Sequence, residues 1–152
     1  MLFAYAITSA TVLIGSRVRR KELLPVALEG SKHDHWARPE MLDTRFDPVD
    51  DIVHILNPFD PLIIQRKRLR AFFDYEHRFE AYVPKEKRLF GYFALPVLVG
   101  DAIVAAIDLK TDRTNGKLRM QKWSWVGKHP RKGVKARIEE ELHRFERFQV
   151  AE

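Results

Sequence analysis

Two tight-turn signals constrain this chain more than any other feature: Gly100-Asp101 and Asn115-Gly116, each set between runs of strand-forming residues. Short hairpin connections need left-handed backbone, which Gly and Asn adopt at little cost, so each pair joins neighbouring antiparallel strands. Residues 102–109 then form a strand common to both hairpins. Residues 117–126 alternate with a period of two, Leu118, Met120, Lys122 and Ser124 on one side, Arg119, Gln121, Trp123 and Trp125 on the other. Upstream, residues 77–83 alternate as a half-buried strand, and Pro84-Lys85-Glu86-Lys87-Arg88 is its turn. Residues 89–99 read as one long apolar strand whose Gly91 and Pro96 suggest a bend or bulge, as at a barrel corner. Four strands joined by short turns predict an antiparallel meander that curls into a small barrel-like sheet.

Helical signals flank the meander. Residues 64–73 form a basic helix with Leu69, Phe72 and Phe73 near one face, and a helix after His129-Pro130 carries Val134, Ile138, Leu142 and Phe145 as a core stripe. Residues 1–16 hold no charge and precede Arg17-Val18-Arg19-Arg20-Lys21. That run is too short to span a membrane, and its cations follow the apolar stretch instead of preceding it as in a signal peptide. It reads as a buried helix capped by Thr8 or Ser9, with the cations at its C-terminal, negative end. Next come a short strand over 22–30, confined to an edge by Pro25, a polar turn (Ser31-Lys32-His33-Asp34) and a strand over 35–38. Helix, strand, loop, strand is the order of the second half of a winged-helix domain. A helical turn over 39–43, a turn at Asp47-Pro48 and a strand over 50–56 complete the chain. The expected fold is α+β: a partial winged-helix unit and connector over 1–48, then a β-barrel-like domain with a terminal helix over 49–152.

Charge is unevenly placed. Residues 1–60 carry seven Lys or Arg against nine Asp or Glu, whereas residues 61–152 carry 20 against 12. A basic field attracts polyanions because phosphate neutralisation releases condensed counterions. Its cations cluster: Arg66, Lys67, Arg68 and Arg70 on one helix, Lys85, Lys87 and Arg88 at one turn, and Lys110, Arg113, Lys117, Arg119 and Lys122 around the last hairpin. Cationic hairpin tips can reach phosphates, and Tyr92, Phe93, Trp123 and Trp125 offer rings that either stack on bases or pack in the core.

The chain has no cysteine, which excludes disulfides, thiolate nucleophiles and Cys-based zinc sites and makes the cytoplasm the default compartment. His33 and His35 flank Asp34, but no third ligand stands at a metal-site spacing, so no metal is assigned. Asp60, within Asn57-Pro58-Phe59-Asp60-Pro61, reads as a general acid or base or, preferably, as a cap for the backbone that follows. The sequence holds no glycine-rich phosphate loop, nucleophile elbow or zinc-protease helix, and no cofactor is assigned.

Several motifs in register resemble the C-terminal region of the AlkZ/YcaQ-type DNA glycosylases. They are Leu56-Asn57-Pro58-Phe59-Asp60-Pro61-Leu62, Arg66-Lys67-Arg68-Leu69, Tyr82-Val83-Pro84, the run from Gly91 to Asp101, and Asp108-Leu109-Lys110-Thr111-Asp112-Arg113. The similarity extends from about Arg17 to Val126. It implies tandem winged helices followed by a β-barrel-like domain, and excision of alkylated or crosslinked bases from double-stranded DNA. The family's catalytic motif is Gln-x-Gln or Gln-x-Asp, whereas Gln65, Gln121 and Gln149 are followed at the second position by Lys67, Trp123 and Ala151. No catalytic residue carries over. The expectation is therefore a DNA-binding C-terminal part of such a glycosylase, whose Arg66, Lys67, Arg68, Arg70, Lys85, Lys87, Arg88, Arg113, Lys117 and Arg119 contact the DNA backbone, with the catalytic segment in a missing N-terminal part. A non-enzymatic binding or regulatory module associated with winged helices is the alternative.

Overall fold

A computed structural model describes residues 2–45, 52–127 and 133–150. The chain divides into two compact units, Met1–Asp47 and Pro48–Glu152. The Asp47-Pro48 turn, the start of the strand expected over 50–56 and the His129-Pro130 break lie outside the described residues.

In the first unit, helix α1 (Leu2–Arg19) leads into an antiparallel pair, β1 (Leu24–Val26) and β2 (His35–Ala37), in which Pro25 faces Trp36. A short helix, α2 (Pro39–Asp43), starts on its proline, whose missing N–H costs nothing at that position. Two expectations for α1 need correction. Thr8 and Ser9 lie inside the helix and so cannot cap its start, and its second half is not buried: Val12 is 64% exposed and Leu13 53%. The pair of three-residue strands in this unit offers little apolar surface to cover it, and none of residues 10–45 is fully buried. No helix among the described residues is long and apolar enough to cross a membrane.

In the second unit a four-stranded antiparallel sheet runs in the order β3 (Val53–Ile55), β4 (Ala94–Val99), β5 (Ala102–Asp112), β6 (Lys117–Trp125). The sheet is open, not the expected barrel: β3 and β6 are its two edges. Its edge strand also differs from expectation. Residues 77–83 form no strand, and β3 pairs with β4 instead, placing Val53 opposite Val99 and Ile55 opposite Val97. The strand alternation does not hold at 77–83, because His77 and Glu80, three residues apart, are both buried, which a strand with one buried face would not allow. The strand expected over 89–99 begins only at Ala94.

Two bulges shape the sheet. One lies beyond Pro96, where Val97 pairs with Ala105 but Leu98 with Ile103. The other leaves Gln121 as the extra residue, since Asp108 pairs with Lys122 and Leu109 with Met120. Directly paired residues share a face, so this second bulge breaks the alternation expected along β6. Leu118, Met120, Trp123 and Trp125 fall on one face, and Arg119, Lys122 and Ser124 on the other.

Helix α5 (Val134–Val150) covers the first of these faces. Val134 and Ile138 join Val53, Leu95, Val97, Val99, Ala105 and Ile107 in one core, with Leu142 and Phe145 packed against it as the predicted stripe requires. Helices α3 (Pro61–Ile64) and α4 (Arg66–Phe73) replace the single basic helix expected over 64–73. They break at Gln65 and pack Ile63 and Leu69 against Tyr75, Ile103 and Leu98 on the opposite face. The rest of that opposite face, from Asp108 to Lys117, has no helix of the second unit over it among the described residues.

Candidate nucleic-acid interface

This second face of the sheet is built by register. Along β5, Asp108, Lys110 and Asp112 project to one side, and their partners on β6 are Lys122, Arg119 and Lys117. A groove of about 890 Å³ crosses this surface, lined by Lys85, Arg88, Tyr92, Phe93, Lys110 and Lys122, among others. A second hollow of about 530 Å³ shares Lys110, Thr111 and Gln121 with the first and adds Arg113 and Arg119. Together they form one cation-lined track.

The near wall of the groove is an irregular loop, Leu89 to Phe93, held by two buried carboxylates. Glu80, 5% exposed, accepts from the backbone N–H groups of Leu89 (2.9 Å), Phe90 (2.7 Å) and Gly91 (3.3 Å). Asp108 accepts from those of Tyr92 (2.7 Å) and Phe93 (3.2 Å). Burial pushes the Glu80 carboxyl up, but the three N–H groups and Arg78 outweigh it and hold the group below its ordinary value. Gly91 sits at φ +136°, where a Cβ would overlap the Asp108 carboxylate, so this approach of loop to strand admits only glycine.

The cations of the track differ in freedom. Arg88 donates from Nε to the Val83 carbonyl at 2.7 Å, and its guanidinium lies over the Tyr92 ring, 4.9 Å from the centroid. Lys122 Nζ donates to the Leu89 carbonyl at 2.7 Å. Arg119 pairs with Asp112 at 2.6 Å; the side-chain amide and backbone N–H of Asn115, together with Arg119, hold the Asp112 carboxyl below its ordinary value. Lys85, Lys110 and Arg113 make no ion pair or side-chain hydrogen bond among the described residues and are exposed or nearly so.

A family model for AlkZ-like DNA glycosylases matches residues 4–148. The chain belongs to the AlkZ-like DNA glycosylase family. No solved structure matches it. The motifs that resemble the AlkZ/YcaQ type have identifiable structural work. Asn57 Oδ1 accepts from Phe59 N at 2.9 Å, and Asp60 Oδ1 accepts from Leu62 N at 2.8 Å as the cap of α3, in line with the cap reading of Asp60. The motif at Gly91 and the motif at Asp108 meet each other through the Tyr92 and Phe93 amides.

The ten predicted backbone-contact residues are thus divided in this AlkZ-like chain. Lys85, Arg88, Arg113 and Arg119 line the track; Lys87 is exposed beside it and Lys117 continues the same face. Arg66, Lys67, Arg68 and Arg70 are exposed on α4 and line neither hollow. Sequence reasoning missed Glu80 and Asp108. Asp108 carried two signals, its place at the head of a family motif and its interruption of the apolar run of β5, and Glu80 carried none. Among the described residues no three His, Asp or Glu side chains gather as metal ligands, and the His35 ring bonds Ser31 Oγ at 2.7 Å.

Proposed function

We propose that this chain is the DNA-binding, C-terminal part of a DNA-repair glycosylase that acts on alkylated or crosslinked bases, and that the β5–β6 face follows the backbone of double-stranded DNA. The observation that carries the reading is the convergence of Lys85, Arg88, Lys110 and Lys122 on one groove that continues to Arg113 and Arg119. Spaced cations on an open surface suit a phosphate chain, which offers evenly repeated charges. The helix, strand, loop, strand order of residues 2–37 is consistent with a winged-helix remnant, and it would add contacts of the same kind.

Bond cleavage is assigned elsewhere, because none of the three glutamines begins a Gln-x-Gln or Gln-x-Asp motif. Purified 152-residue chain should bind a duplex and release no base from alkylated DNA. Binding should weaken steeply with salt, and the double variant Lys85→Ala, Lys110→Ala should flatten the logarithmic salt slope by about 1.8, roughly 0.9 for each lost phosphate contact. An unchanged slope removes the groove from the interface, and base release by the chain alone overturns the division of labour.

A further inference from the structure

Beside the groove lies a cluster of rings anchored by Phe93, which also packs against the sheet core. Phe79 packs edge-on against Phe93 (5.5 Å between centroids) and tilted against Phe59 (5.8 Å), and Phe59 also touches Phe93 at 6.4 Å. Tyr82 stands edge-on to Phe79 of this cluster at 6.0 Å and is 92% exposed. Phe59 is itself 65% exposed, and Tyr92, whose ring carries the Arg88 guanidinium, 55%. Arg88 ties the two tyrosines together, since its Nε bonds the carbonyl of Val83, next to Tyr82. Phe93 lines the basic groove, so the ring cluster and the cations are continuous.

An almost fully exposed tyrosine contributes little to a core, yet this one stands against a ring of a packed cluster that borders the cationic groove. A nucleobase offers the matching chemistry: a π-face for the ring and a phosphate for the cation. In a paired duplex those π-faces are covered by neighbouring bases, so only an unpaired stretch can supply them. A purely apolar peptide would leave the cations unmatched. We infer that Tyr82, braced by Phe79 of the Phe59, Phe79 and Phe93 cluster, is a stacking platform for unpaired DNA at the edge of the basic groove. The inference rests on the DNA-binding reading and adds to it a preference for strands whose bases are open.

The test compares a fluorescein-labelled duplex of about 30 base pairs with the same duplex carrying a central run of about ten unpaired thymines, by anisotropy with the full 152-residue chain at fixed salt. The unpaired run should raise affinity about tenfold, the scale of one base–aromatic stack. Tyr82→Ala should abolish that preference and leave affinity for the fully paired duplex unchanged, whereas Tyr82→Phe, which keeps the ring, should retain it. Equal affinity of the wild-type chain for both duplexes overturns the platform and leaves the rings as an apolar docking surface for something other than DNA. Survival of the preference in Tyr82→Ala, or its loss in Tyr82→Phe, overturns it as well. Failure to bind either duplex defeats the DNA-binding reading itself, so the two failures are distinguishable.

Discussion

Glu80 and Asp108 between them accept five consecutive backbone N–H groups, from Leu89 to Phe93, although they stand on different segments and neither is near the other in sequence. An irregular loop cannot satisfy its own amides as a helix or strand does, so these buried carboxylates replace the missing ladder. Through this loop they also set the position of Tyr92 and Phe93 in the groove.

Removing the Glu80 carboxylate leaves three loop amides without their acceptor. Glu80→Ala should destabilise the fold by on the order of 3 kcal/mol, and Glu80→Gln by less because one acceptor oxygen remains. The folded-state value of Glu80 lies below its ordinary 4.5, so the stability it contributes is present above that pH and lost as pH falls through the folded-state value. Urea midpoints measured from neutral pH down to acid should therefore converge for wild type and Glu80→Gln at the acid end. Parallel curves would rule out this role.

Gly91→Ala should be costly for two reasons that act together, a positive φ and an overlap with the Asp108 carboxylate. A loss of about 2–4 kcal/mol is expected in denaturant unfolding. A variant within about 0.5 kcal/mol of wild type would show that the loop is free to move off β5.

His77 is 5% exposed and neither ring nitrogen has a hydrogen-bond partner among the described residues, while burial first and the Arg66 charge second lower its pKa from 6.5. The unfolded chain therefore takes up a proton on falling below pH 6.5 before the folded protein does, and stability is lost over that window down to the folded-state value. His77→Phe should match or exceed wild type near neutral pH and gain on it below 6.5, by at most about 1.4 kcal/mol per pH unit. Thermal or urea unfolding of both proteins across that range checks the sign.

Asp60 caps α3 through Leu62 N. Asp60→Ala should cost about 1 kcal/mol in stability, with Asp60→Asn nearly neutral because an amide oxygen caps almost as well. A loss of duplex binding in Asp60→Asn at full stability would give this residue a part in recognition that the cap does not explain.

Much of the site's raw material was legible in the sequence. The turns at Gly100-Asp101 and Asn115-Gly116, the β5 and β6 strands and the α5 stripe are local patterns, set by backbone freedom at glycine and by the spacing of apolar side chains, and the structure keeps them. The sequence also placed the cations and carried the family motifs.

Only the tertiary structure decided which strand closes the edge of the sheet, since residues 50–56 and residues 77–83 both read as strands and the outcome depends on pairing with Val97 and Val99. It alone decided which cations share a face, because one extra residue, Gln121, shifts every side chain beyond it. The uses of Glu80 and Asp108 were equally invisible: an isolated carboxylate looks solvent-facing until distant backbone amides arrive to bind it. Short-range backbone preferences are written residue by residue, whereas register, closure and the pairing of buried polar groups are settled only when the chain meets itself.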